Sequence, residues 1–294
     1  MSIKSVDDIR GVRNGAAIIR RLHWLDDRLH WHGFFRRSDL VERFSISPQL
    51  ASTDIGQYQE LAPDNARFDS ATKAYFRADS FAPLFPKNAF EWLKSAEVDD
   101  DASVIPSESV PSPSHRTDDR IMAAVIAAYE TRTALTIEYQ SLTSAEPSER
   151  TICPHHVVDT RHRVHIRAWD DRRRIFTDFV LSRVLSARSE PSYPWVDAIA
   201  DSAWNDVVDV RIAPHPDLSP FQRAVIEREY GMRDGAVVIP VRKALVTYLL
   251  DDLGLLDPVR DADGIPDASR GTCCLNPDEL RPHLPKPMVT AQSA

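Results

Sequence analysis

The chain has 294 residues, of which 43% are hydrophobic and 27% are charged, and its formal net charge is −8. That composition is typical of a globular protein of about two domains, and it excludes wholesale disorder and a fibrous fold. The longest strongly apolar stretch, residues 121–129, is far shorter than the roughly 18 residues that cross a bilayer, so no membrane span is expected.

The amino terminus and the cysteines favour a cytoplasmic protein. Residues 1–8 contain neither the apolar segment nor the small-residue cleavage site of a secretory signal. Cys153, Cys273 and Cys274 are odd in number and lack the spacing of a zinc site. We therefore expect reduced thiols, with neither a metal nor a cofactor.

The acidic residues are unevenly distributed along the chain. Residues 97–116 turn acidic and then rich in serine and proline, which is typical of a linker. Many of the other acidic residues lie in the C-terminal third. The first segment is therefore slightly basic, which is compatible with DNA binding. We predict a first domain over residues 1–96, a linker over 97–116, a middle domain over 117–189 and a C-terminal domain over 190–294.

Two helices are predicted at the start of the first domain. Apolar residues recur at helical spacing over residues 14–33, at Ile18, Leu22, Leu25 and Leu29. Ser38 is suited to cap a second, short helix that buries Leu40, Val41 and Phe44.

A third helix carries the first functional signal. Ser47 supplies an N-cap, Pro48 occupies the first helical position, and the helix is expected to reach about Leu61. Its buried face is predicted to hold Ala51, Ile55, Tyr58 and Ala62. The opposite face holds Gln49, Ser52, Thr53 and Gln57, which are short polar side chains that can approach base edges and phosphates in a major groove. This face is what a DNA-recognition helix requires.

Two short alternating segments, residues 67–69 and 73–77, then predict a β-hairpin wing. Its basic residues are expected to contact the DNA backbone. Arg36, Arg37, Ser47 and Lys73 are assigned to the DNA-binding surface together with the exposed face of the third helix.

The middle domain is predicted to begin with a helix over residues 117–130 and to continue as short strands. Alternation of period two is present over residues 135–139 and 163–168, and an apolar strand follows over 175–181. Several short strands within about sixty residues favour a small β-barrel.

One strand of this domain predicts an anion site. Side chains two apart on a strand emerge on one face about 6.6 Å from each other, so Arg163, His165 and Arg167 form a row of donors. Guanidinium groups bind phosphate bidentately, which favours a phosphate or nucleotide ligand, although a solvated basic strand face is the alternative. Candidates to line the same pocket are Tyr139, Ser141, Arg150, His155, His156, Ser182 and Arg183.

The motifs at residues 137–141 (IEYQS), 150–156 (RTICPHH), 163–169 (RVHIRAW) and 176–183 (FTDFVLSR) together resemble a WYL domain. More narrowly, the chain resembles the CapW/BrxR-type WYL repressors of bacterial anti-phage defence operons. The resemblance implies an α+β multidomain fold with an N-terminal winged helix-turn-helix, a central SH3/Sm-like WYL barrel and a small α/β C-terminal extension that dimerises. The naming Trp-Tyr-Leu triplet is replaced here by Val164, His165 and Ile166, while the flanking arginines remain.

By this resemblance the protein is expected to be a homodimeric transcriptional repressor that binds double-stranded DNA at an inverted-repeat operator. Its WYL pocket is thought to sense a nucleotide or nucleic-acid-like effector that relieves repression. Two alternatives stay open: a ligand-binding adaptor that acts through protein partners, and a WYL activator of a DNA-damage response.

The C-terminal domain is less distinctive. Strands are predicted over residues 207–212 and 236–241, with a helix between them that starts at Ser219 and Pro220 and buries Phe221, Val225 and Ile226. A final helix with Leu245, Tyr248, Leu249 and Leu253 is expected to end at Gly254.

Enzymatic activity is not expected. The chain contains no Walker, GxGxxG, HExxH or GxSxG motif, and no glycine-rich oxyanion turn accompanies Cys153 and His155. His155 and His156 are adjacent on a predicted strand and should point to opposite faces, which disfavours a shared metal.

Overall fold

The structure, a computed structural model, describes residues 5–98, 117–160, 163–261 and 268–285. The chain divides into two compact units, Met1–Val110 and Pro111–Ala294. Except for its first two residues, the predicted linker over 97–116 lies outside the described residues. No helix in the described ranges is long and apolar enough to cross a membrane.

The first unit has the order α1 (Val6–Arg10), α2 (Gly15–Asp27), β1 (Phe34–Arg36), α3 (Arg37–Phe44), α4 (Pro48–Leu61), β2 (Ala66–Asp69), β3 (Ala74–Arg77) and α5 (Ala89–Val98). A π-helical turn, Arg28–His32, extends α2, and Gly33 ends it with a φ of 80° that favours glycine. Leu22, Leu25 and Leu29 are fully buried, as their spacing predicts.

The expected cap of the second helix is wrong. The helix α3 begins at Arg37, so Ser38 lies inside it. Asp39 supplies the capping group instead, because its Oδ2 accepts a hydrogen bond from the Arg36 backbone nitrogen at 2.9 Å. Leu40 is fully buried, whereas Val41 and Phe44 are half-buried.

The predicted hairpin is present as β2 and β3, and β1 extends it to an antiparallel sheet of order β1-β3-β2. Phe35 of β1 and Phe68 of β2 both lie opposite Tyr75 of β3. Their ring centroids are 4.9 and 4.8 Å from that of Tyr75. This aromatic row holds the wing together on one side of the helices.

The second unit begins with α6 (Asp119–Thr131), β4 (Ala134–Tyr139), β5 (Ser148–Asp159), β6 (Val164–Asp170), β7 (Ile175–Val180) and β8 (Val184–Glu190). These strands form an antiparallel sheet of order β7-β6-β5-β4-β8, which we call the middle sheet. One face packs against α6, with Val125 of α6 and Ile137, Ile152 and Ile166 of the sheet in a common core. We call this the inner face and its opposite the outer face.

The middle sheet is curled but not closed. A flat sheet would separate β7 from β8 by about 19 Å, yet a single 3₁₀ turn, Leu181–Arg183, connects them and rises only ~6 Å. The sheet must therefore bend at that end. Within the described residues no ladder pairs β7 with β8, so the closed barrel expected from the sequence is not seen.

The chain continues with α7 (Ser202–Asn205), β9 (Val207–Pro214), α8 (Pro220–Glu229), β10 (Val237–Arg242), α9 (Val246–Asp252), α10 (Leu256–Arg260), β11 (Thr272–Cys274) and α11 (Pro277–Leu280). Strands β10, β9 and β11 form a second antiparallel sheet, and Val210 and Ile212 of β9 are buried in one core with Val246 and Leu250 of α9.

One expectation about this part is wrong. Phe221 is 80% exposed rather than buried in α8, and Val225 and Ile226 are half-buried. The helix α9 buries Val246 and Leu250, while Tyr248 and Leu249 are half-buried. The side of α9 that carries Tyr248 faces the middle sheet, because the Tyr248 hydroxyl donates a hydrogen bond to Asp178 of β7.

Candidate nucleic-acid interface and ligand site

The start of α4 is fixed by the two residues that the sequence singles out. The Ser47 hydroxyl accepts a hydrogen bond from the Leu50 backbone nitrogen at 3.2 Å, and Pro48 occupies the first turn. This confirms the predicted N-cap. On the opposite side of the helix, Ala51, Ile55 and Tyr58 are buried.

The polar face of α4 is open to solvent. Gln49, Ser52 and Thr53 are exposed and Gln57 is half-buried. The Ser52 hydroxyl donates to the Pro48 carbonyl at 3.0 Å, and the Thr53 hydroxyl donates to the Gln49 carbonyl at 3.1 Å. Each of these hydroxyls has only one hydrogen, so as placed both can act toward DNA only as acceptors. The Gln49 amide offers both a donor and an acceptor, which are the groups that read adenine bidentately.

The assigned basic residues lie at the end of β1, at the start of α3 and in the turn of the wing. Arg37, at the start of α3, donates from Nη1 to the Ser52 hydroxyl at 3.2 Å, which joins α3 and α4 into one surface. Arg36 lies over the Phe34 ring at 5.0 Å, and Lys73 is exposed in the turn of the wing with a φ of 51°. The structure thus places Arg37 beside the α4 face and places Lys73 on the hairpin.

A buried ion pair attaches α4 to α2. Arg21 donates from Nε and Nη2 to the two carboxylate oxygens of Asp54, at 2.7 and 3.0 Å. Their side chains are 10% and 1% exposed. This pair was not predicted from the sequence, although Asp54 lies on the buried side of α4, next to Ile55.

A second buried group holds the carboxyl-terminal half of α4. The Tyr58 hydroxyl donates to Asp26 Oδ1 at 2.6 Å. Asp26 also accepts from the backbone nitrogens of Leu84 and Phe85, and Lys87 Nζ lies 2.8 Å from its Oδ2. Burial, reinforced by the hydrogen bond to Asp26, raises the pKa of Tyr58, so this hydroxyl stays a donor. The polar face of α4 is therefore held in place by buried ion pairs and hydrogen bonds.

The predicted ligand residues of the second unit lie on both faces of the middle sheet. Tyr139 is buried on the inner face, where its hydroxyl accepts from the Val180 backbone nitrogen at 3.2 Å. Arg150 lies directly opposite Ile137, so it also belongs to the inner face, and it is half-buried. Ser141 lies in the β4–β5 turn with its hydroxyl 2.7 Å from that of Thr143.

The row on β6 faces the other way. Ile166 and Ala168 belong to the inner core, so His165 and Arg167 point to the outer face, together with Arg163 just before the strand. Arg163 is exposed, but His165 and Arg167 are only 8% and 7% exposed. The open row of three donors expected from the sequence is therefore not present, because the C-terminal part of the unit covers two of them.

Arg167 is held by two carboxylates. Its Nε and Nη2 donate to Asp201 Oδ2 and Oδ1 at 2.8 and 3.1 Å, and its Nη1 donates to Asp178 Oδ1 at 3.3 Å. Burial alone would raise the pKa of Asp201, but hydrogen bonds from His155 and Arg167 hold it below its usual range. Asp201 is thus an anion within the protein interior.

Tyr248 of α9 completes the contact with the outer face. Its hydroxyl donates to Asp178 Oδ2 at 2.8 Å and lies 3.1 Å from His165 Nδ1. Burial lowers the pKa of His165, and the charges of Arg163 and Arg183 lower it further while that of Asp178 opposes them. Ser182 and Arg183 are half-buried in the 3₁₀ turn after β7.

The two adjacent histidines are not on opposite faces, which corrects the sequence expectation. The register of β5 against β6 shifts between Pro154 and His156, and this bulge turns the rings toward each other, with their Nδ1 atoms 2.6 Å apart. His155 Nε2 lies 3.2 Å from Asp201 Oδ2, and the His156 ring lies 4.2 Å from that of Trp204. Both histidines therefore contact the segment that carries Asp201 and Trp204.

Cys153 is also covered by this segment. Its Sγ accepts from the Val196 backbone nitrogen at 3.4 Å, and burial raises the pKa of the thiol. A raised pKa disfavours the reactive thiolate.

A cavity of about 240 Å³ lies between the middle sheet and α9. Val158, Leu245, Tyr248 and Leu249 are among its walls, and Asp159 and Asp252 are the charged groups among its lining residues. Because these two groups are acidic, the cavity is poorly suited to a phosphate.

Three protein-family models match the chain. The winged helix-turn-helix domain of the BrxR transcriptional regulator matches residues 18–95, the WYL domain matches 120–189, and the C-terminal dimerization domain of the BrxR transcriptional regulator matches 207–280.

Similar proteins over most of the chain bear one name, "DNA-binding transcriptional repressor CapW". The Stenotrophomonas maltophilia protein is 37% identical over 80% of this chain and 83% of its own length. The Pseudomonas aeruginosa protein is 34% identical over 82% and 84%, and that of Escherichia coli strain KTE188 is 33% identical over 81% and 83%.

Proposed function

The chain belongs to the CapW/BrxR family of WYL-domain transcriptional regulators, and on that premise we propose that it is a homodimeric, sequence-specific DNA-binding transcriptional repressor. The observation that carries the proposal is the face of α4. It is polar, exposed and flanked by Arg37, and buried ion pairs and hydrogen bonds fix its orientation. We place the protein in the cytoplasm, where a bacterial regulator meets its DNA.

In this proposal the α4 helices of a dimer enter successive major grooves of an inverted repeat. Gln49, Ser52, Thr53 and Gln57 contact base edges or phosphates there, and Ser47 contacts the backbone at the amino terminus of the helix. Arg36, Arg37 and the wing residue Lys73 neutralise phosphates. The two-fold axis sets the half-sites about 34–36 Å apart, or a multiple of that distance.

Dimerisation through the C-terminal part is supported by its exposed apolar side chains. Phe221, Val238 and Leu275 are 80%, 52% and 54% exposed, and all lie within the range that matches the dimerization domain. Large apolar side chains in solvent are typical of a surface that a partner covers.

The middle sheet is the proposed sensor of an anionic effector, a nucleotide or a nucleic-acid-like ligand whose binding relieves repression. Support comes from the outer face, to which Arg163, His165 and Arg167 point, and from Arg183, whose charge acts on His165. The proposed ligand set also includes Ser141, His155, His156 and Ser182, whereas Tyr139 and Arg150 lie on the inner face and are not part of this site. The curl of the sheet and its 3₁₀ turn support an SH3/Sm-like barrel. The proposed target is an anti-phage defence operon, which the sequence resemblance to the CapW/BrxR-type repressors implies.

Binding to the DNA upstream of its own operon tests the proposal. A repressor of this kind should bind one inverted repeat at least about 10³-fold more tightly than random duplex at the same salt concentration. Equal, weak binding to every duplex would instead favour an adaptor that acts through protein partners.

A further inference from the structure

Two carboxylates contact Arg167, although one would balance its single positive charge. Asp178 lies directly opposite it on β7 and already balances the guanidinium. Asp201 adds a second carboxylate, which is 2% exposed and takes the two shorter hydrogen bonds. The second carboxylate is therefore in surplus by charge, although it holds the better geometry.

Asp201 does not belong to the sheet that it contacts. It lies in the segment between β8 and β9, and its side chain caps α7 by accepting from the Trp204 backbone nitrogen at 3.2 Å. Trp204 is in turn contacted by Arg242 of β10, whose guanidinium lies 5.0 Å from the ring centre and donates to the Trp204 carbonyl. One carboxylate thus connects the sensor strand β6 with the sheet of the dimerization domain.

We infer that Asp201 is an internal competitor of the effector: its carboxylate occupies Arg167 in the unliganded protein, and a phosphate group binds Arg167 only after that carboxylate has left. The inference rests on the proposed function only in taking the effector to be an anion. Guanidinium groups bind carboxylate and phosphate through the same paired donors. Since Nε and Nη2 are both committed to Asp201, the two occupants exclude each other.

The surroundings favour exchange of one anion for another. Arg163 and Arg183 act electrostatically on His165, two residues from Arg167, and neither side chain has an ion pair with an acid among the described residues. They attract an incoming phosphate without needing to release a partner. The Asp201 segment borders solvent, since nearby Ile199 is 87% exposed, so the displaced carboxylate can be hydrated.

Displacement would carry the signal to the dimerization domain. When Asp201 leaves Arg167, it also leaves His155, and the cap of α7 is no longer held in place. The contacts of Trp204 with His156 and Arg242 then lose their fixed support. Effector binding and the present arrangement of α7 are therefore alternatives, which is the requirement for a two-state switch.

Calorimetric titration of the full-length protein with inorganic pyrophosphate, at constant ionic strength and without DNA, tests this competition. Asp201→Asn keeps the size of the side chain but removes its charge, and it should bind pyrophosphate at least about tenfold more tightly than the wild type because the competing state is weakened. Asp197→Asn is the matched control, since Asp197 lies in the same segment and pairs with an exposed arginine, Arg132. It should bind as the wild type does.

The tighter pyrophosphate binding of Asp201→Asn must depend on Arg167. The double variant Asp201→Asn with Arg167→Gln should therefore bind pyrophosphate no more tightly than the wild type. Equal binding by wild type and Asp201→Asn, no binding by folded Asp201→Asn, or a gain that persists without Arg167 would each overturn the inference.

Hydrogen exchange of the wild type decides the matter if Asp201→Asn does not fold. The Trp204 amide donates to both the side chain and the carbonyl of Asp201, so saturation with pyrophosphate, which removes the side-chain acceptor, should speed its exchange. Unchanged or slower exchange there would overturn the inference. Operator binding in the absence of pyrophosphate is measured separately, so a failure of DNA recognition is distinguished from a failure of the competition.

Discussion

Arg21 of α2 and Asp54 of α4 form a bidentate ion pair inside the first unit, with nitrogen–oxygen distances of 2.7 and 3.0 Å. The pair attaches the helix that presents Gln49 and Thr53 to the helix that forms the core of this unit. The orientation of the α4 face that we propose to bind DNA therefore depends on two buried side chains that are not part of that face.

Removing one member of this pair should be strongly destabilising. Arg21→Met leaves the Asp54 carboxylate buried without a partner, and we expect it to lower the free energy of unfolding by about 3–5 kcal/mol. Chemical denaturation followed by circular dichroism measures this. The double variant Arg21→Met with Asp54→Leu removes both charges and should restore most of the loss. If the single variant were as stable as the wild type, the pair would not support α4.

Substitutions of Ser47 should separate its capping role from its role toward DNA. Asparagine and aspartate both cap helices well, so Ser47→Asn and Ser47→Asp should be stable, whereas Ser47→Ala should cost about 1 kcal/mol. Only Ser47→Asp adds a negative charge where phosphate is expected, and it should weaken operator binding while Ser47→Asn does not. Thermal unfolding and a binding titration measure the two effects. Normal operator binding by Ser47→Asp would place this end of α4 away from the DNA.

Much of the first unit could be predicted from the sequence because its signals are local. The Ser47-Pro48 cap and the alternation around Tyr75 are readable within a few residues. The Arg21–Asp54 pair joins residues 33 positions apart, so no local pattern contains it. Asp54 on the apolar side of α4 was the available signal, because a buried carboxylate requires a partner.

In the second unit, the strands were predictable but their surroundings were not. Alternation identified the row on β6, yet it could not show that the outer face would be covered by Asp201 and Tyr248, both distant in the sequence. Pro154 in a central strand was a signal for the bulge that brings His155 and His156 together, since proline within sheets is confined to edges and bulges. The exposure of Phe221 had no such signal.

Phe221 should be needed for dimerisation. A lysine at this exposed position introduces a charge into an apolar surface, so Phe221→Lys should shift the protein from dimer to monomer in light scattering coupled to size exclusion. Loss of bivalent binding should lower operator affinity by roughly 10²–10⁴-fold. Phe90→Lys is a matched control, because Phe90 is 64% exposed but lies in the first unit. A dimeric Phe221→Lys protein would exclude this surface as the interface.

Stability should fall as the solution is acidified below neutrality, partly through His165. Burial lowers the pKa of His165 in the folded protein, so the unfolded chain binds more protons as the pH falls through about 6.5. The lowered pKa of Asp201 acts in the same direction, but its contribution is lost only below about pH 4. Between about pH 7.5 and 5.5, the melting temperature of His165→Asn should thus change less than that of the wild type. If the melting temperatures of the wild type and His165→Asn changed equally over this pH range, the pKa of His165 would be the same in the folded and unfolded states.

If the exposed face of α4 reads DNA bases, variants of that face should select different sites from a random DNA library than the wild type does. Gln49→Ala should lose the preference at one base pair in each half-site, at a cost of about 1–3 kcal/mol, while the other positions stay selected. Lys73→Ala should weaken binding to all sequences alike, as loss of a phosphate contact does. If Gln49→Ala selects the same sites with the same discrimination as the wild type, the helix after Ser47 does not read the operator as described.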